Sequence, residues 1–183
     1  MIINAFQSVL KDKPNTLRHR IEHARLLTDD QIKKIAQLGL LVCAAPVGYS
    51  REDWYYHMMC QNVGIDREHE LLRHKELFDN NVLVCGGSDC HPGITEWISP
   101  LWAIQFLTTM GPKNQRFTVE EALRVYTING VYAYFDENKL GSIKEGKLAD
   151  LVVLDEDLTK IPEGEIGNIP IRFTMVDGQI VYK

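Results

Sequence analysis

No apolar run in the 183 residues approaches the length needed to span a membrane, and the N-terminus lacks the pattern of a secretory signal. A basic surplus is missing too. The formal net charge is -5 and the pI near 5.7, which argues against a nucleic-acid surface. Cysteine is sparse: Cys43, Cys60, Cys85 and Cys90 show neither CxxC spacing nor the density of a disulfide scaffold, so reduced thiols and a cytoplasmic setting are expected. Internal repeats and low-complexity segments are absent. What is present, 45% hydrophobic and 25% charged residues, is the composition of a folded globular chain. Its length suits one sizeable core, or one domain plus part of another.

The stretch Val82 to Pro92, Val-Leu-Val-Cys-Gly-Gly-Ser-Asp-Cys-His-Pro, organises the rest. Its short apolar start reads as a buried strand. Gly86 and Gly87 then permit a sharp turn, and Ser88, Asp89 and His91 follow at the strand's C-terminal end, where α/β barrels and open parallel sheets keep their chemistry. Asp89 as a plain turn cap is the alternative. Cys43 and Cys85 lie in apolar runs and are expected to pack as small hydrophobes. A structural zinc site of Cys85, Cys90 and His91 is conceivable but lacks the usual paired spacing.

Along the chain, residues 2 to 10 place Ile2, Ile3, Phe6, Val9 and Leu10 on one helical face. Leu17 to His23 alternates like a strand, with His19, Ile21 and His23 on one face and Arg18, Arg20 and Glu22 on the other; Arg20 and Glu22 are expected to pair. Thr28 and Gln31 make a capping box for a helix stopped by Gly39. Leu40 to Ala45 reads as the next strand, giving a parallel βαβ pattern. Residues 47 to 68 show no sustained period and read as a long loop with short helical pieces, its Trp54 to Tyr56 cluster a candidate pocket lining. Glu70 to Asn80 reads as a helix facing inward through Leu71, Leu72, Leu77 and Phe78. Ser99 and Pro100 open another helix, in which Trp102 is expected to pack on the core, and Thr118 with Glu121 caps a third. Beyond Leu140 the pattern becomes turns and strands, with Asp177-Gly178 as a hairpin signal. A boundary near residue 140 therefore separates an α/β part, 1–140, from a β part, 141–183. His57, His69 and His74 read as solvated surface residues.

Two strands thus end in side chains that suit a divalent ion, His23 and Asp89. Imidazole and carboxylate both ligate zinc, and a carboxylate beside a metal-bound water also accepts its proton. At this point the sequence resembles the metal-dependent amidohydrolase superfamily, in particular its amidohydrolase-family-3 branch with N-substituted formamide deformylase-like enzymes. The resemblance rests on Arg18-His19-Arg20-Ile21-Glu22-His23-Ala24, on Gly87-Ser88-Asp89, on Thr118 to Leu123 continuing through Tyr126-Thr127-Ile128-Asn129, and on Gly141 to Leu154.

The resemblance implies the last three strands of a TIM-like (β/α)8 barrel, followed by strands of a small β-sandwich. It implies His23 as a metal ligand, and Asp89 as a metal ligand that also moves protons. His91 is a candidate substrate-binding residue. The family's first-strand His-x-His pair, its bridging lysine and its fifth-strand histidine have no counterpart in the sequence. The chain therefore looks like the C-terminal portion of a longer enzyme that hydrolyses C–N bonds of small amide-like substrates with zinc or a similar ion. Alone it is expected to bind metal weakly and to lack appreciable activity. Neither nucleic acid nor membrane is an expected partner, and uncovered strands favour a homo-oligomer. The alternative from another class is a non-catalytic interaction or structural module that keeps an amidohydrolase-like shell.

Overall fold

Apolar residues at helical spacing form α1 (Ile2–Leu10), which turns Ile3 and Leu10 inward. The computed structural model describes residues 1–11, 13–45, 54–89, 99–109 and 113–183, and of residues 54 and 55 the backbone alone. After α1 come β1 (Arg20–Glu22), α2 (Asp29–Gln37), β2 (Leu41–Ala44), α3 (Trp54–Val63), α4 (His74–Asp79) and β3 (Val84–Gly86). Then follow α5 (Pro100–Thr109), α6 (Val119–Tyr126), α7 (Ile128–Ala133), β4 (Leu151–Leu154), β5 (Ile171–Val176) and β6 (Gln179–Tyr182).

The first three strands make one parallel sheet in the order β1-β2-β3. Two rows of side chains cross it: Ile21, Val42 and Val84 in one, Glu22, Cys43 and Cys85 in the next. Because successive strand residues point to opposite faces, these rows lie on opposite sides. The apolar row joins Ile32 and Ile35 of α2, Leu77 of α4 and Val125 of α6 in the main core. Both capping boxes are formed. Thr28 Oγ1 accepts from the Gln31 N–H at 3.3 Å and Gln31 Oε1 from the Thr28 N–H at 2.9 Å; at Thr118 and Glu121 the distances are 3.2 and 2.8 Å.

Three expectations are corrected. The strand expected over 17 to 23 is three residues long, because Arg18 has φ 52 and the Asn15 side chain bonds both the N–H and the C=O of His19. The helix expected over 70 to 80 begins only at His74. Ahead of it, Leu71 bridges to Leu26 and Leu72 is left-handed at φ 57, its N–H bonded to the Arg25 carbonyl at 2.8 Å. Within the expected loop 47 to 68 stands the ten-residue helix α3, followed by a 3-10 turn at Ile65–Glu70. Among its described side chains only Met59 is buried, so no apolar stripe announces it.

The last three strands form a separate antiparallel sheet, β4-β5-β6. Asp177 and Gly178, with φ of 48 and 77, make the two-residue turn between β5 and β6, where two positive φ values match the twist of the strands. A 3-10 turn at Glu163–Asn168 sends Ile166 into the main core. Gly167 lies so close to Trp102 that a Cβ would meet the indole at 2.5 Å, and its N–H donates to Gln105 Oε1 at 2.7 Å. Trp102 is half-buried there. Arg18 clamps the entry of β1 to the end of α7: it pairs with Glu137 at 2.5 Å and lies over the rings of Tyr132 and Phe135, 3.7 and 4.1 Å from their centres. No helix among the described residues is long and apolar enough to cross a membrane. The fold is α/β, with a parallel sheet and a small antiparallel one.

Candidate functional site

Parallel strands deliver their C-terminal ends to one side of a sheet, and here β1 and β3 deliver His23 and Asp89. The His23 N–H still bonds the Cys43 carbonyl at 2.8 Å, as the last step of the ladder. His23 and Ala24 then turn left-handed, at φ 66 and 46, and the chain leaves the sheet. At β3 the ladder closes with the Gly87 N–H on the Ala44 carbonyl at 2.9 Å, and Asp89 takes φ 47. The positive φ of this turn thus falls on Asp89 and not on the glycines. Gly86 serves another need, since a Cβ there would lie 2.5 Å from the Tyr126 ring.

The two turns bring His23 Nε2 and Asp89 Oδ2 to 3.8 Å, with side chains 39% and 59% exposed. Arg25 joins them. Its guanidinium is 3.9 Å from the same carboxylate oxygen and 3.5 Å from His23 Nδ1. Imidazole, carboxylate and guanidinium therefore meet at one end of the sheet.

Beneath them lies a residue that sequence reasoning placed at the surface. His74 is buried, and its Nε2 sits 2.6 Å from the His23 carbonyl oxygen, to which the neutral ring donates a hydrogen bond. Burial pulls its pKa down to about 4. The signal that marks it is its spacing from Leu77 and Phe78, which puts all three on the inward side of α4. His57 and His69 are exposed, as expected.

The other face of the sheet carries its own row. Arg20 pairs with Glu22 at 2.5 Å, as the alternation predicts. Partial burial works against the Glu22 carboxylate, yet bonds from Arg20 and Cys43 leave its pKa below the ordinary value. Next in the row stand Cys43 and Cys85: the neighbouring Cys85 thiol, then burial, pushes Cys43 up, while Cys43 holds Cys85 below the ordinary thiol value against its own burial. Cys85 is buried and Cys43 half-buried.

The donor set can be tested against a divalent ion. A nitrogen and an oxygen 3.8 Å apart can share one ion at bonds of about 2.0–2.2 Å, so the pair fits two positions of a coordination shell. Catalytic zinc sites use three protein ligands. Among the described residues no group of three or more His, Cys, Asp or Glu side chains is placed to hold a metal ion. His91 and Cys90, and with them the conceivable Cys85-Cys90-His91 site, lie outside the described residues, as do Trp97 and the side chains of Trp54 and Tyr55. The remaining member of that aromatic cluster, Tyr56, donates its hydroxyl to Glu68 at 2.9 Å.

A sequence profile described as the amidohydrolase family matches residues 1–182. The chain is 29% identical over 188 residues to an N-substituted formamide deformylase of Arthrobacter pascens, an alignment covering 100% of this chain and 34% of that protein. In fold it is similar to an uncharacterized metal-dependent hydrolase from Pyrococcus furiosus, with TM-score 0.71 and 24% identity over 86% of this chain and 32% of that one. It is also similar in fold to an adenosine deaminase from Xanthomonas campestris with bound zinc, with TM-score 0.61 and 18% identity over 88% of this chain and 36% of the other. The chain spans about a third of the length of the curated relatives it matches.

Proposed function

The chain belongs to the amidohydrolase family, and on that premise we propose that it forms the C-terminal part of a metal-dependent hydrolase cleaving C–N bonds of small amide-like molecules. The observation that carries this reading is the meeting of His23 and Asp89, 3.8 Å apart, at the C-terminal ends of two strands of one parallel sheet. In this reading β1, β2 and β3 are the last three strands of an eight-stranded barrel. Residues 1–140 make the barrel part and 141–183 a β-sandwich segment. A cytoplasmic setting belongs to the same proposal.

His23 and Asp89 would hold the ion, with zinc the choice that suits nitrogen and carboxylate donors, and the rest of the shell would come from residues outside this chain. When bound, such an ion supplies Lewis acidity: a more electrophilic carbonyl and a water acidified toward about pH 7. Asp89 accepts the proton of the attacking water and returns it to the leaving nitrogen, acting as general base and then general acid. His74 holds the His23 carbonyl and so fixes the turn from which the imidazole projects. His91 is the residue proposed to meet substrate.

Titration of the purified chain with zinc tests the reading. Weak, chelator-labile binding is expected, abolished by His23→Ala or Asp89→Ala. Stoichiometric zinc that survives a chelator would contradict it. In a polypeptide that also carries the other barrel strands, Asp89→Asn should abolish hydrolysis of an N-substituted formamide, and near-normal turnover would remove Asp89 from the mechanism.

Arg25 favours a second reading, a non-catalytic module with an amidohydrolase-like shell. Its guanidinium already supplies a positive charge beside Asp89, and by donating to Nδ1 it would leave the His23 proton on Nε2, the nitrogen a metal needs unprotonated. Arg25→Ala distinguishes the two. Tighter zinc binding by the variant supports the module reading for this chain, whereas unchanged binding supports the hydrolase.

A further inference from the structure

We propose that Cys43 and Cys85 form an oxidisable dithiol, which a small peroxide converts into a disulfide joining β2 to β3 beneath the His23 and Asp89 turns. The two residues are far apart in sequence, so no spacing rule links them. The fold puts them in register on neighbouring parallel strands, on the same face. Paired residues of adjacent strands stand about 4.8 Å apart, inside the Cα range of roughly 4.4–6.8 Å that a disulfide bridges. Both thiols are free, and they stand close enough for each to shift the acidity of the other. Gly87 lies against the first sulfur: a Cβ there would stand at ordinary contact distance, 3.4 Å from Cys43 Sγ.

Access comes from the side of β1. Cys43 is half-buried, and its neighbour Glu22 leaves about half of its side chain exposed, at 51%. A molecule the size of hydrogen peroxide can approach along that face. Cys43, the half-buried thiol that such a molecule reaches, is the sulfur that attacks. It breaks the O–O bond, becomes a sulfenic acid and releases the other oxygen as water. Cys85, its partner in register, then displaces the hydroxyl from that sulfur as a second water. The S–S bond forms, two S–H bonds break, and the two electrons lost by the thiols reduce one peroxide to two waters. In a reducing compartment such a bridge is transient, which suits a sensor better than a structural staple. Its position makes it consequential, because the carbonyl of Cys43 holds the His23 N–H and Gly86 follows Cys85 directly into the Asp89 turn.

The test uses the full chain at low concentration, treated with hydrogen peroxide, blocked with an alkylating agent under denaturing conditions and mapped by mass spectrometry without reduction. The expected result is a linked pair of peptides containing Cys43 and Cys85, with loss of both thiol hydrogens from the intact mass and full reversal by dithiothreitol. Cys60→Ser should leave the bridge intact, while Cys43→Ser and Cys85→Ser should each abolish it. Recovery of Cys43 and Cys85 as separate alkylated or over-oxidised thiols would overturn the proposal. So would a bridge to Cys60 or Cys90, or one between two chains. The map of the unmutated chain decides the matter even if a serine variant fails to fold.

Discussion

His74 donates to the His23 carbonyl at 2.6 Å from a buried position that keeps its pKa down to about 4. An unfolded chain protonates this group near pH 6.5, whereas the folded one stays neutral until about pH 4. Between those values the unfolded state binds more protons, so stability present above pH 6.5 is lost as pH falls through the window, on the order of 3 kcal/mol at its end. Denaturant melts between pH 7 and 4 should show this slope, and His74→Gln, which keeps a donor but cannot titrate, should flatten it. A second prediction concerns Tyr126. Its hydroxyl is buried and has no partner among the described residues. Tyr126→Phe should therefore raise stability, by about 1 kcal/mol, in the same melts. The unpartnered Tyr126 hydroxyl was not legible in the sequence, and the burial of His74 only through its spacing from Leu77 and Phe78. Arg73-His74-Lys75 looks like a solvated run, and only the tertiary turn at Leu71 and Leu72 carries the imidazole inside.

Among the elements, the ends that depend on local chemistry were legible and those set by distant contacts were not. Thr28 with Gln31 and Thr118 with Glu121 satisfy their own helix N-termini, so sequence reasoning places the starts of α2 and α6 to within a residue. Thr118→Ala should lower stability by about 1 kcal/mol, seen as a shifted denaturant midpoint with an unchanged slope. The start of β1 yields instead to the Asn15 side chain, and the start of α4 to a bridge with Leu26. Gly86 follows the same logic. Its place in a Gly-Gly pair suggests a turn, yet the structure uses it for a close approach to the Tyr126 ring. Gly86→Ala should cost about 1–3 kcal/mol through overpacking. Since the clash is with ring carbons, Tyr126→Phe would not relieve it, whereas Tyr126→Leu should recover part of the loss. The site was legible at the level of strand ends, because His23 and Asp89 both close apolar or alternating runs. Arg25 was missed because it follows the strand in a turn whose path the alternation does not encode.

For the whole molecule, the surface most open to association is the antiparallel sheet. All four residues of β6 are exposed, among them Ile180, Val181 and Tyr182 at 54, 63 and 57%. An exposed apolar edge strand invites pairing with another chain. Sedimentation should show association that grows with concentration, and Ile180→Lys together with Tyr182→Lys should weaken it. A monomer at high concentration would contradict this expectation. The parallel sheet is asymmetric in a way that matters for stoichiometry. On its β3 side the Val84 carbonyl, turned away from β2, is occupied by Asn129 Nδ2 at 2.8 Å, and α7 packs against the same strand. On its β1 side the outward Glu22 carbonyl bonds only within its own turn, accepting the Ala24 N–H at 2.8 Å, and the outward backbone groups of Arg20 have no such cover among the described residues. Chains that met through this sheet would therefore have one hand to offer, not two. Joining like edge to like edge closes on a twofold axis, so growth through it stops at a pair, and the head-to-tail addition that lengthens into a filament has nowhere to continue.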